Sequence, residues 1–452
     1  MPPPNSSIRS AKTQSLMDTL RQKHTGKRPS KLPTTKRAKA TTVAYDFSKH
    51  PAYSEVRIAK AASETIGVGS PYFRVVQEVD GTRVKIDGRW VRNFASYDYL
   101  SLNGTSAVRD GARAAVAEWG VSATASRLVG GETTMHGTLE KKLADFLRTE
   151  AALALVSGHG TNMALVSTLV GPGDLVLVDS LAHNSIYEGI RRSGAAHATF
   201  PHNDHRWVDD HLATMRDKHK NVLIAVEGLY SMDGDAPDLP RFIALKERHN
   251  AWLFVDEAHS VGVLGETGRG ICEASGVDPK QIEVIMGTLS KSFCSCGGFV
   301  AGSAALIDLV RYRAPGFVYS VGLSAPNTAA AIGAVDAIVA EPNRLARLRD
   351  VGQTFRTRAQ KLGLDTGESQ GHAICPIIIG DSLQAVWISN RLLEAGFNVL
   401  PIIAPAVPDR SARLRFFLNS DHDEASIAAV LKETAKLKTQ ASKMSITEMA
   451  SG

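Results

Sequence analysis

At 452 residues the chain is too long for one small core and sets an expectation of two domains, or three with a short one. With 43% hydrophobic and 22% charged residues and no apolar run near the ~20 residues of a membrane span, it reads as a globular chain without a lipid anchor. Its four cysteines, Cys272, Cys294, Cys296 and Cys375, are too few and too unevenly placed for a disulfide framework; no Cys/His spacing suits a metal site, and a reducing compartment, the cytoplasm, is expected.

The formal net charge of +6 is concentrated at one end. Residues 1 to 45 hold ten Lys/Arg against Asp18 alone, a local +9 that leaves −3 for everything after residue 45. The body therefore has no basic surplus for nucleic acid. A Ser/Thr/Pro/Lys-rich segment cannot bury enough apolar surface to offset its ordering entropy, so a solvated, disordered arm is expected over 1–45. A docking arm for an acidic carrier protein and a transit peptide are the sharper alternatives.

Residues 46–107 read as an N-terminal segment. A helix is expected over Tyr53 to Ile66, then alternating stretches at Tyr72 to Val79 and Arg83 to Trp90, with hairpin turns at Asp80-Gly81 and Asp87-Gly88. From 108 to 330, helical stretches alternate with short apolar runs: Ala151 to Val156, Leu175 to Asp179, Ala198 to Phe200, Val222 to Glu227, Trp252 to Asp256, Val284 to Thr288 and Phe299 to Gly302. Runs without polar alternation are strands covered on both faces, which predicts a large α/β domain on a mostly parallel sheet, with ligands at the carboxyl ends of its strands. Residues 331–440 read as a smaller α+β domain: a helix from Asn327, a strand near Ile374 to Ile379, a helix over Leu383 to Ala395, strands at Val399 to Ile402 and Leu414 to Leu418, and a closing helix before a tail at 441–452.

Two segments carry the strongest chemical signal. In Leu253-Phe-Val-Asp256-Glu-Ala-His259-Ser260 an apolar strand ends in a carboxylate, with a histidine three residues on. A buried carboxylate is costly unless a cation faces it, and the pyridinium nitrogen of pyridoxal phosphate is such a cation. In Gly287-Thr288-Leu-Ser290-Lys291-Ser292, Thr288 and Ser290 can donate to a phosphate, and Lys291 can form a Schiff base with an aldehyde and then move protons. Singly, a strand-end Asp is as often structural and a Lys in a Ser/Gly loop is usually solvated. Their joint occurrence 35 residues apart points to a cofactor site.

Further motifs stand in a fixed order around these two. They are Ala95-Ser-Tyr-Asp98-Tyr99-Leu100; Ser126-Arg127, Gly130 and His136-Gly-Thr-Leu-Glu140; Ser157-Gly158-His159-Gly-Thr-Asn162; His183-Asn-Ser185; Glu227-Gly-Leu-Tyr230-Ser231-Met232-Asp-Gly234-Asp235; and Arg413-Leu-Arg415-Phe-Phe. From about residue 70 to 435 the chain resembles the α-oxoamine synthases, which include serine palmitoyltransferase, 8-amino-7-oxononanoate synthase and 5-aminolevulinate synthase. The resemblance implies a fold-type I pyridoxal-phosphate transferase of the aminotransferase class I/II type, a homodimer with its active site at the subunit boundary. The implied activity is a biosynthetic acyltransferase, in sphingolipid or natural-product metabolism, that condenses an amino acid with an acyl thioester and releases carbon dioxide.

By the same resemblance, Lys291, His183, Asp256 and His259 are the catalytic set. Gly158 and His159 receive the phosphate at a helix start, where free N–H groups and the helix dipole favour an anion. Ser231, Thr288 and Ser290 complete the cofactor contacts. His183 stacks on the ring, His259 bonds the ring oxygen or the substrate, and Arg415 grips the substrate carboxylate as a bidentate fork. Asp98 and Ser126 are substrate-binding and can serve the neighbouring subunit's site. Taken singly, the Gly158 turn is an ordinary helix start at even odds, His183 a surface residue and His259 a helix cap. Arg413 reads as a surface or salt-bridge residue.

The chain departs from its relatives in places. Gly120-Val-Ser-Ala-Thr-Ala-Ser126-Arg127 has fewer glycines than usual, and His159 replaces an aromatic residue. Ser126 resembles the position that is threonine in the glycine-using enzymes, which favours alanine, serine or a larger amino acid over glycine. Cys294 and Cys296 after the lysine, with Pro201-His202-Asn203-Asp204, resemble the branch that works beside natural-product assembly lines, where the acyl group arrives on a carrier protein; for the activity as a whole the thioester is acyl-CoA or acyl carrier protein. An aminotransferase on the same scaffold and a non-catalytic regulatory subunit are the competing expectations.

Overall fold

The computed structural model describes residues 46–57, 69–445 and 448–449. The basic arm at 1–45 lies outside the described residues, as does the 58–66 part of the expected Tyr53–Ile66 helix. The piece 46–57 holds a 3-10 turn, Phe47–Lys49, followed by helix over residues 51–57.

In the body, β1 (Val76–Asp80), β2 (Arg83–Ile86) and β3 (Arg89–Asn93) form an antiparallel meander. The second turn is tight because Asp87 and Gly88 both take positive φ, 49° and 75°, the geometry that an Asp-Gly pair tolerates. The seven-stranded sheet then contains β4 (Ala151–Leu155), β5 (Leu175–Asp179), β6 (Ala196–Phe200), β7 (Val222–Glu227), β8 (Trp252–Asp256), β9 (Val284–Thr288) and β10 (Gly298–Gly302), in the order β4-β10-β9-β8-β7-β5-β6. Only β10 runs antiparallel to its neighbours. The apolar runs lack alternation because each face is buried in a different core: Leu175 and Leu177 in one, Val176 and Val178 in the other.

Helices cover both faces, among them α1 (Ser106–Trp119), α2 (Thr134–Leu147), α3 (Gly158–Leu169) and α4 (Asn184–Ser193). The C-terminal part packs a three-stranded antiparallel sheet, β11 (Ile374–Gly380), β14 (Ala412–Phe417) and β13 (Leu400–Ile402), against helices Ser382–Glu394 and Glu424–Ala441. A two-residue strand between them, β12 (Phe397–Asn398), instead joins β3 in parallel and completes the N-terminal sheet. Phe94, just after β3, lies wholly buried in the C-terminal core beside Phe355 and Phe416, so the β1–β3 meander and the C-terminal part share one hydrophobic interior.

Candidate active site

The carboxyl ends of β7, β8 and β9 and the start of α3 open into a cavity of about 460 Å³. Gly158, His159, His183, Ser231, Asp256, His259, Thr288, Ser290, Lys291 and Arg415 all line it. A second cavity, of about 370 Å³, sits at the opposite end of the sheet against Leu169, Trp252, Ile282 and Leu306. It is mostly apolar and holds none of the motif residues.

Asp256 ends β8 with 4% of its surface exposed. Its Oδ2 accepts from Asn162 Nδ2 at 2.7 Å and its Oδ1 from the Ala258 N–H at 2.9 Å. Asn162 also donates to Ser185 Oγ at 2.9 Å, which lies 2.7 Å from His183 Nδ1. His183 is thus fixed twice, by Ser185 Oγ and as the cap of α4, accepting the Ser185 N–H at 3.3 Å. Its ring lines the cavity, edge to face with His159 at 6.0 Å. Burial lowers the His183 imidazole below its ordinary value, with the Asp256 charge opposing.

Lys291 leaves β9 after Thr288 and Ser290, whose hydroxyls lie 2.8 Å apart. Its ammonium sits 5.7 Å from the centre of the Tyr97 ring. Burial lowers it to about 8, although the Asp256 charge pulls the other way. A lysine poised there has the neutral amine that attacks a carbonyl and takes a proton.

His259 lies on the turn after β8, parallel to Phe417, and its Nδ1 is 2.8 Å from the Tyr99 hydroxyl. Burial holds its imidazole well below the usual range, reinforced by the Lys291 and Arg415 cations, so it is neutral. Arg415, on β14, packs over the Phe417 ring at 4.6 Å and donates from Nη1 to the Ser231 carbonyl at 3.2 Å. It forms no ion pair among the described residues, and its buried Nε has no partner.

At the head of α3, Ser157 Oγ accepts the Gly160 N–H at 3.1 Å, leaving the amides of Gly158 and His159 for a ligand. Gly158 is required there because a Cβ would come within 2.6 Å of Thr288 Oγ1.

Asp98 and Ser126 fall outside the cavity. Asp98 accepts the Leu102 and Asn103 N–H groups and the Cys294 thiol, which ties down its own loop. Ser126 bridges to Val321 through its backbone, at the edge of an irregular turn, Arg127–Gly131. Arg413 is buried rather than on the surface, paired with Asp233. Asn162, Ser185, Glu227 and Tyr97 also line the cavity. Their letters stand in the motifs, but no role was read for them. Asn162 had a signal, one helical turn after Gly158 on the same face.

Pyridoxal phosphate fits these residues. Asp256 has only neutral hydrogen-bond donors and no ion pair among the described residues; Glu227 Oε1 and Asn162 Oδ1 are buried and unpaired; and free helix-start amides adjoin the Ser290 hydroxyl, the proton of Thr288 Oγ1 going to the Gly297 carbonyl at 3.0 Å.

The profile of the family described as aminotransferase class I and II matches residues 90–433. The 8-amino-7-oxononanoate synthase of Thermoanaerobacter pseudethanolicus is 37% identical over 367 residues, 81% of this chain and 92% of that one. Among solved structures, Sphingomonas wittichii serine palmitoyltransferase superposes with a TM-score of 0.83 at 29% identity, covering 89% of this chain and 100% of that one. A serine palmitoyltransferase from S. paucimobilis with bound PLP gives 0.84 at 27% identity, over 88% and 100%.

Proposed function

Because the chain belongs to the aminotransferase class I and II family, and within it to the α-oxoamine synthases, we propose that it condenses an amino acid with an acyl thioester to give an α-aminoketone, carbon dioxide and free thiol. It is a pyridoxal-phosphate enzyme of the acyltransferase type. The observation that carries the reading is Arg415: a guanidinium without a carboxylate partner among the described residues, in the same cavity as Lys291 and Asp256.

When bound, pyridoxal phosphate supplies an electron sink for a carbanion at the substrate's α-carbon. The remaining work falls to the chain. Arg415 takes the amino acid's carboxylate and thereby sets which α-carbon bond stands free to break. Lys291 Nζ, neutral above about pH 8, accepts the α-proton and returns one at the end. Asp256 would hold the ring nitrogen and His183 would cover the ring, while His259 Nε2, its Nδ1 engaged by Tyr99, would donate to the ring oxygen or the incoming carbonyl. The thioester carrier is CoA or an acyl carrier protein. Alanine, serine or a larger amino acid is favoured by Ser126, acting in a neighbouring subunit's site.

That assignment requires a homodimer. Val121, Leu128, Val129, Tyr319 and Val321 flank the Ser126–Val321 bridge with 47 to 86% of their surface exposed, an apolar face suited to a second copy. No described helix is long and apolar enough to cross a membrane. We place its work in the cytoplasm, the reading that four scattered cysteines without a disulfide framework support.

The test supplies amino acids with acyl-CoA or acyl carrier protein. Thiol and carbon dioxide released together support the condensation, whereas keto-acid exchange without thiol release rejects it in favour of transamination.

A further inference from the structure

Beside the cavity, and not lining it, lies a second cluster of buried charge. Asp179 closes β5 and Asp235 lies within the loop after β7, with 0% and 5% of their surfaces exposed. Two neighbouring carboxylates in a protein interior demand a cation. His202, in the turn after β6, provides it: Nδ1 lies 3.0 Å from Asp179 Oδ1 and Nε2 2.9 Å from Asp235 Oδ2. A carboxylate only accepts, so both ring nitrogens donate and the ring is an imidazolium. Burial works against that charge, but the two carboxylates outweigh it and raise His202 to about 10. Asn203 repeats the bridge with neutral groups, giving its N–H to Asp179 at 2.8 Å and its Nδ2 to Asp235 at 2.7 Å. The Tyr230 ring meets the imidazole edge to face at 4.4 Å.

Each aspartate anchors a segment that enters the active site, Asp179 through its carboxylate and Asp235 through its backbone. Asp179 Oδ1 accepts the Leu181 N–H at 2.8 Å and so shapes the turn that delivers His183. The Asp235 backbone carbonyl accepts the Tyr230 N–H at 2.9 Å, closing the loop that carries Ser231 and Met232. Arg415 leans on that loop, through the Ser231 carbonyl at 3.2 Å and the Met232 sulfur at 3.5 Å.

We propose that His202 is a positioning residue for the amino-acid site: by clamping Asp179 to Asp235 it fixes the spacing between His183 and Arg415, and with it the grip on the substrate carboxylate. The inference rests on the assignment of Arg415 to that carboxylate.

The test uses the cofactor-loaded enzyme. In His202→Gln, a side chain that cannot donate charge to both carboxylates, amino-acid affinity measured by visible-spectrum titration per loaded site falls about tenfold. The amino-acid KM rises with it, while the KM for the acyl thioester stays within about twofold. A residue that only supports the fold would lower the melting temperature and the loaded fraction but leave affinity per loaded site unchanged. That result, or an equal rise in both KM values, overturns the proposal. Should His202→Gln fail to fold, Asn203→Ala, which removes the neutral half of the bridge, must show the same selective loss. Arg415→Lys runs alongside. If it leaves amino-acid affinity intact, the carboxylate assignment itself has failed; if it weakens affinity and His202→Gln does not, the clamp alone is refuted.

Discussion

Glu227 and Asp256 stand side by side in register at the ends of β7 and β8, two buried carboxyl groups facing one cavity. Their surroundings separate them. Asp256 accepts from two N–H donors, whereas Glu227 keeps Oε1 unpaired. Burial, and then the Asp256 charge, push the Glu227 carboxyl well above the usual carboxylate range, so it holds a proton. Glu227→Gln therefore leaves the cavity's charge unchanged, and kcat is expected within about threefold of wild type. Asp256→Asn removes the charge proposed to face the cofactor and is expected to cost on the order of 100-fold or more in kcat. Steady-state kinetics on the two variants check the contrast; equal losses would contradict it.

A pH dependence follows from Lys291. In the cofactor-free protein its folded value, about 8, lies below the ordinary lysine value, so the neutral amine is disfavoured below pH 8 and present above it. Imine formation with an aldehyde needs the neutral amine. The rate of pyridoxal-phosphate capture by the cofactor-free enzyme should rise with pH, pass half-maximum near 8 and level off well before 10. Stopped-flow absorbance reads this directly. A midpoint near 10 would mean that burial does not lower the ammonium.

The strands and the residues that meet in the cavity were legible in the sequence for different reasons. Strands buried on both faces leave uninterrupted apolar runs, so β5, β7, β8 and β9 coincide with their expected bounds. The starts of β6 and β10 lie one or two residues earlier than expected, because Ala196, His197 and Gly298 carry little strand signal. Pairing was not legible. Nothing local says that β10 inserts antiparallel between β4 and β9, or that Phe397–Asn398 crosses to the N-terminal sheet. Motif order located the residues that meet in the cavity, but connections among them, such as the path from His183 through Ser185 and Asn162 to Asp256, depend on how separate helices approach one strand end.

Gly158 offers a steric test of the expected phosphate site. A methyl group there would meet Thr288 Oγ1 at 2.6 Å and Thr288 Cβ at 3.0 Å, so α3 or the end of β9 must shift. Such overpacking costs about 1–3 kcal/mol. Because the strain falls between the helix-start amides and the Thr288 and Ser290 hydroxyls, Gly158→Ala should weaken pyridoxal-phosphate binding by about tenfold or more. Equilibrium dialysis or fluorescence quenching measures the change. Unaltered cofactor affinity would place the phosphate elsewhere.

Tyr99 makes the last prediction, because its hydroxyl has one partner, His259 Nδ1, in a fully buried contact. Burial holds the phenol well above its ordinary value, and burial with two nearby cations holds the imidazole well below its own, so both groups are neutral. With the phenol donating to Nδ1, the proton of the imidazole resides on Nε2, which is left free to donate toward the cavity. Tyr99→Phe leaves Nδ1 buried and unpaired, a loss of about 1–3 kcal/mol in the stability of the cofactor-free protein by urea denaturation. It also releases the tautomer, so kcat should fall more than the amino-acid affinity does. His259→Asn tests the same donor from the other side: if Tyr99→Phe and His259→Asn lower kcat by amounts that multiply in the double variant, the two act independently and Tyr99 does not work through His259.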